Sequence, residues 1–145
     1  MRKTAFWLSL LLALCVIAGC VAAEGVAVKK LTAKYGIRPE NALIIYDDID
    51  LRPGDVRVRP GGGPGTHNGM RSIVNETGTD AFPRIRVGTG DRPKGQDLVS
   101  WVLGRPSEEE KPLMEAAFKT AAECAEEWAA SGIDAAMRFC AARKS

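Results

Sequence analysis

The apolar positions of this chain fall into several distinct patterns, and each predicts a different element. Residues 4–23 carry no charge, follow the basic start Met1-Arg2-Lys3, and centre on the run from Leu8 to Ile17. Val26, Val28, Leu31 and Tyr35 recur at helical spacing up to Gly36, with Pro39 beyond them as a stop signal. Ala42 to Tyr46 is a short unbroken apolar run, as in a strand covered on both faces, and it delivers Asp47-Asp48-Ile49-Asp50 at its end. Arg52-Pro53-Gly54-Asp55 reads as a turn. Val56-Arg57-Val58-Arg59 and Arg84-Ile85-Arg86-Val87-Gly88 alternate strictly, which puts a pair of arginines on one face of each of two strands. Between them, Gly61 to Thr66 is too rich in glycine for a regular element and feeds a helix from Asn68 to Glu76, closed by Thr77-Gly78. Leu98 to Leu103 makes a further short apolar element. Ser107 and Glu110 have the spacing of a capping box, in which each side chain takes the other residue's backbone N–H. The helix they open carries Leu113, Ala117, Ala121, Cys124 and Trp128 as one stripe, Gly132 breaks it, and Ile133, Met137 and Cys140 mark a last helix. Strands and helices interleave, so the fold class is α/β.

The first pattern reads as an address. A basic start, an apolar run and small residues are the layout of a secretory signal, and Ile17-Ala18-Gly19-Cys20 is similar to a lipoprotein box that would lipidate Cys20. The run also approaches the roughly 20 residues that cross a bilayer, so membrane attachment through residues 4–23 and a buried helix stand as alternative readings. Residues 1–23 therefore separate, as a signal-like or anchor segment, from a body over 24–145. The whole chain has 145 residues, 46% hydrophobic and 26% charged, values of one packed domain rather than a disordered chain.

Charge is unevenly distributed. Over residues 21–145 basic and acidic side chains balance at 18 each, yet residues 52–105 hold nine Arg and Lys against five acids, and residues 106–145 hold five against eight. A polyanion-binding face belongs in the middle third. Cys124 and Cys140 occupy apolar helix positions and read as core. With one histidine and no CxxC pair, the sequence calls for no metal and no cofactor.

Three constellations have chemical potential. Asp47, Asp48 and Asp50 follow a buried strand, where carboxylates either face a ligand crevice or accept local backbone N–H groups. Gly61 to Gly69 holds five glycines in nine residues ahead of a helix, so its backbone can approach an anion at the helix N-terminus. There His67 and Asn68 either contact a polar substrate or, for His67, cap the local backbone. Arg57, Arg59, Arg84 and Arg86 form either a phosphate clamp or a solvated face.

Taken together, these residues resemble the bacterial peptidyl-tRNA hydrolase family. The resemblance rests on Asp47-Asp48-Ile49-Asp50-Leu51, on His67-Asn68-Gly69-Met70-Arg71-Ser72-Ile73, on Phe82-Pro83-Arg84-Ile85-Arg86-Val87-Gly88, on Trp101-Val102-Leu103-Gly104 and on Ala135-Ala136-Met137, in the family's order over roughly residues 24–142. It implies a mixed β-sheet flanked by helices and hydrolysis of the ester between a peptide and tRNA, a step of bacterial translation. It also implies that Asp47 orients a catalytic histidine, that Asn68, His67 and Gly65 line the substrate crevice, and that Arg57, Arg59 and Arg86 hold tRNA phosphate. The helix from Ser107 is similar to a flap over that crevice. The family supplies its catalytic histidine from an earlier Thr-Arg-His-Asn segment that these residues lack, so the expectation is an incomplete member, truncated on its N-terminal side. Without the first strands, Ala42 to Tyr46 is expected to have an unpaired edge. Thr66 stands where the family usually has glycine, which predicts strain if that position needs positive φ. The family implies a cytoplasmic protein. The signal-like start implies instead an exported or membrane-tethered one, and with it the alternative of a non-catalytic anion- or RNA-binding module.

Overall fold

The structure, a computed structural model, describes residues 14–15, 23–91, 94–95, 97 and 104–143. Its order is β1 (Leu14–Cys15), α1 (Ala23–Tyr35), a 3-10 turn at Pro39–Asn41, β2 (Ile44–Asp48), β3 (Val56–Arg59), α2 (Asn68–Thr77), β4 (Arg84–Gly88), α3 (Glu110–Ser131) and α4 (Ile133–Ala142). The strands form one mixed sheet in the order β1-β2-β4-β3, with β1, β2 and β4 parallel and β3 antiparallel to β4.

The expected α/β layering is present, and alternation decides which side chains go where. Val56, Val58, Ile85 and Val87 point to one face and are buried with Leu43 against α3 and α4, through Ala117, Ala121, Cys124, Ala136 and Cys140. Ile44 and Tyr46 point to the other face and pack with Val28 of α1, Met70 and Ile73 of α2, and Phe82. Both cysteines are buried free thiols, and Cys140 Sγ donates to the Val56 carbonyl at 3.3 Å. The capping box forms as its spacing requires, with Glu110 N–H on Ser107 Oγ at 3.2 Å and Ser107 N–H on Glu110 Oε2 at 2.9 Å. The stripe it opens is buried from Ala117 onward. Leu113 stays 49% exposed, because the first turn of α3 runs alongside Gly54 rather than over the sheet. The body of α3 is thus seated in the core, on the face opposite α1 and α2.

The unpaired edge predicted for β2 is partly covered. Leu14 and Cys15 pair in parallel with Ile44 and Ile45, taking up backbone groups that an open edge would leave unmatched. The described part of the run that reads as an address therefore lies in the sheet and lends no support to a signal or membrane anchor. Cys20, the rest of residues 1–22 and the element at Leu98 to Leu103 lie outside the described residues. Among the described residues, no helix is long and apolar enough to cross a membrane.

Candidate active site

The C-terminal end of β2 presents two neighbouring carboxylates, and the structure uses them differently. Asp48 is buried and organises the backbone: one oxygen accepts the Asp50 N–H at 2.9 Å, the other pairs with Arg86 Nε, and its carbonyl takes the Thr89 N–H at 3.1 Å. Asp50 is exposed beyond it. Asp47 instead meets His67, with Oδ1 3.3 Å from the ring Nε2.

Both readings of His67 hold at once. It is the N-cap of α2, and its Nδ1 accepts the Met70 N–H at 3.1 Å. With that lone pair engaged, the neutral ring carries its proton on Nε2 and donates it to Asp47. The Tyr46 ring lies 4.7 Å from the imidazole centroid at an interplanar angle of 48°, which fixes the ring from its side. Burial pushes the Tyr46 phenol up, with Arg84 opposing the shift. Asn68 is exposed as the first residue of α2. Gly65, at φ +58°, gives its carbonyl to Arg71 Nε at 3.1 Å. Thr66 is unstrained, contrary to expectation: the positive φ values of this loop fall on Gly62 and Gly65, and no non-glycine residue among those described has one.

The four arginines share the α1 and α2 side of the sheet, since Arg57 faces Arg86 and Arg59 faces Arg84 across the β3–β4 ladder. They do not share a role. Arg84 is 2% exposed, and its guanidinium donates to the carbonyls of Phe82, Gly63 and Asp80 at 3.3, 3.0 and 3.0 Å. It pins the glycine-rich loop and leaves the clamp. Arg86 is partly engaged by Asp48, Arg59 is exposed, and Arg57 has a buried Nε without a hydrogen-bond partner among the described residues.

Sequence patterns gave no hint of Glu24. It opens α1, and one carboxylate oxygen, Oε2, is buried with no hydrogen-bond partner among the described residues. Burial pushes its carboxyl above the ordinary range, and the charge of Asp47 adds to that shift. The available signal was its place as the first acid of the chain, just ahead of a glycine at a helix start. Among the described residues, no group of His, Cys, Asp or Glu is placed to hold a metal ion.

The family model for peptidyl-tRNA hydrolase matches residues 21–145. Similar curated proteins include the peptidyl-tRNA hydrolases of Syntrophomonas wolfei, 49% identical over 114 residues, and Alkaliphilus metalliredigens, 45% identical over 114 residues; each alignment covers 79% of this chain and 61% of the relative. The fold is similar to the crystal structure of peptidyl-tRNA hydrolase from Acinetobacter baumannii, with a TM-score of 0.75 at 32% identity, covering 83% of this chain and 61% of that one. The chain thus spans about three-fifths of the length of the relatives it matches.

Proposed function

Because the chain belongs to the peptidyl-tRNA hydrolase family, we propose that it binds peptidyl-tRNA where β2 meets α2 and slowly hydrolyses the ester between the peptide and the 3′ ribose. The observation that carries this reading is a row on one sheet face that runs to the end of β2: Arg57 faces Arg86, Arg86 is in register with Tyr46, and Tyr46 lies against His67, which reaches past the strand end to meet Asp47. Like charges directly opposite on adjacent strands cost roughly 0.2–1 kcal/mol unless a counter-charge answers them. Asp48 answers Arg86, and a phosphate answers Arg57, whose Nε has no partner among the described residues. The exposed Asn68 amide and the first turn of α2 then face the ribose and the peptide carbonyl, where donors oppose the charge that develops on the ester oxygen.

The slowness follows from His67. Its Nδ1 holds the Met70 N–H and its Nε2 proton is directed at Asp47, so neither nitrogen has a lone pair free for water. A missing general base lowers the rate by about 10² to 10⁴. Asp47 in this chain orients His67 rather than a histidine poised to take a proton.

Two measurements test the reading with the full chain. The first is release of labelled N-acetyl-aminoacyl acid from tRNA, expected at a low but measurable rate. The second is tRNA binding as a function of salt. Arg57→Ala should weaken binding and reduce the slope of log affinity against log salt by roughly 0.7 to 0.9 for one lost phosphate contact. Arg143→Ala, whose guanidinium pairs with Glu123 and lies over Phe139, should change neither. Equal effects from the two substitutions would reduce the arginine row to diffuse attraction, and binding without hydrolysis would leave a tRNA-binding module.

A further inference from the structure

His67 is the one histidine of the chain, and its two ring nitrogens do opposite jobs. Nε2 lies 3.3 Å from Asp47 Oδ1, and Nδ1 accepts the Met70 N–H at 3.1 Å as the cap of α2. Only a neutral ring does both, because it has one donor nitrogen and one acceptor nitrogen. Adding a proton changes the two ends unequally. Nε2–H remains a donor and the Asp47 carboxylate remains an acceptor, so that tie survives as an ion pair. Nδ1 becomes a donor facing another donor, and the bond to Met70 is lost.

The surroundings of Met70 give that loss a consequence. Met70 is 0% exposed and forms the buried side of α2 with Gly69 and Ile73. A buried N–H stripped of its acceptor costs more than one that turns to water, so the first turn of α2 opens rather than keep it unmatched. A charged ring at a helix N-terminus also meets the positive end of the helix dipole, which acts in the same direction. Neighbouring bonds limit how far the opening spreads. Arg71 Nε holds the Gly65 carbonyl at 3.1 Å and Arg84 holds that of Gly63 at 3.0 Å, and neither bond involves the imidazole. At the far end of α2 the Gly78 N–H closes on the Val74 carbonyl at 2.8 Å. The part set loose is the turn from Asn68 to Met70.

We propose that His67 is a proton-operated cap: the neutral ring locks the first turn of α2, and the charged ring stays on Asp47 and releases it. The inference goes beyond the hydrolytic reading, since the switch belongs to the helix end whether or not an ester is cleaved there. Asp47 and Tyr46 of β2 face the ring, and Arg86 of β4 is in register with Tyr46 and engaged by Asp48. Arg71 of α2 is turned to the loop, and α1 brings Glu24, next to the Gly25 N–H that closes on Ser72 Oγ. Burial pushes the Glu24 carboxyl up toward the interval in which histidine titrates, so the test separates the two groups.

The test follows ring titration and amide exchange of the full chain by NMR from about pH 8 to about pH 5, the interval in which an ordinary histidine changes charge. With one histidine in the chain, its ring Cε1 proton reports the charge without ambiguity. As that signal moves, the protection factor of the Met70 amide should fall about fivefold or more, the equivalent of losing a helix cap. The Gly78 amide should keep its protection. His67→Asn retains a capping side chain and removes the titrating ring, so its Met70 protection should stay constant over the same interval. A Met70 amide that keeps its protection while the ring titrates would overturn the proposal, and so would an equal fall at Met70 and Gly78. A fall that persists in His67→Asn would overturn it too and pass the effect to Glu24. None of these readouts involves ester cleavage, so the switch and the hydrolytic reading fail independently.

Discussion

Replacing Arg84 by Met tests whether this arginine supports the fold or the ligand. Met retains much of the length and apolar stem of Arg but has no donors, so the carbonyls of Phe82, Gly63 and Asp80 lose their shared partner. Hydrogen bonds to a charged group contribute about 1.5–3 kcal/mol each. The two at 3.0 Å dominate here, and the third is long and spans only two residues. Against this stands the desolvation of a guanidinium that is 2% exposed, which the Met chain escapes. The balance is a loss of about 2–4 kcal/mol, a large share of the roughly 5–15 kcal/mol that holds a typical domain together. Urea unfolding of the full chain, followed by circular dichroism, reads this as a lower midpoint with an unchanged slope. Arg59→Met, one ladder position across and exposed, should stay within about 0.5 kcal/mol of the parent. If Arg84→Met unfolded with the parent chain but lost tRNA affinity, the assignment of Arg84 to the loop would be wrong.

Two further substitutions or reagents probe the packing. Gly25→Ala places a methyl group 2.2 Å from a backbone oxygen that no side-chain rotation can move, so it should destabilise by about 1–3 kcal/mol; a thermal melt matching the parent would mean that α1 is free to shift. Cys124 is buried beside Cys140, and burial pushes its thiol up to about 12. With little thiolate at pH 8, iodoacetamide should label Cys124 only at the rate of unfolding, and modification located at Cys124 in the folded chain within minutes would contradict its burial.

Local chemistry was easier to read from the sequence than long-range geometry. The Ser107 and Glu110 capping box and the break at Gly132 depend on residues within a few positions of each other, and both are present. Alternation correctly assigned Arg57, Arg59, Arg84 and Arg86 to common strand faces. It could not separate Arg84 from Arg86, because that difference comes from the Gly63 and Asp80 carbonyls folding back over one of them and from Asp48 arriving beside the other. Asp47 and His67 were singled out individually, but their contact spans 20 positions and depends on β2 and α2 converging. Glu24 was missed for the same reason at greater range, since its surroundings come from a helix crossing that Gly25 permits. The run containing Leu14 and Cys15 reads equally as a leader or as a strand because both draw on the same residues, and hydrophobicity alone does not distinguish a bilayer from the edge of a sheet, where these two residues pair with β2.

The order of elements also has a consequence for the chain as it is made. Val56, Val58, Ile85 and Val87 are covered by α3 and α4, which are the last elements in chain order. Once β4 has left the ribosome, some 50 residues must still be added before α4 is complete, which takes about 3–10 s at 5–20 residues per second. For that interval the antiparallel pair of β3 and β4 carries an apolar face with no cover, on a nascent chain whose parallel strands must also find partners distant in sequence. Chaperones and neighbouring nascent chains meet that face before α3 and α4 do, so the yield of folded protein should depend on the speed of translation through residues 89–142 as well as on the stability of the finished domain.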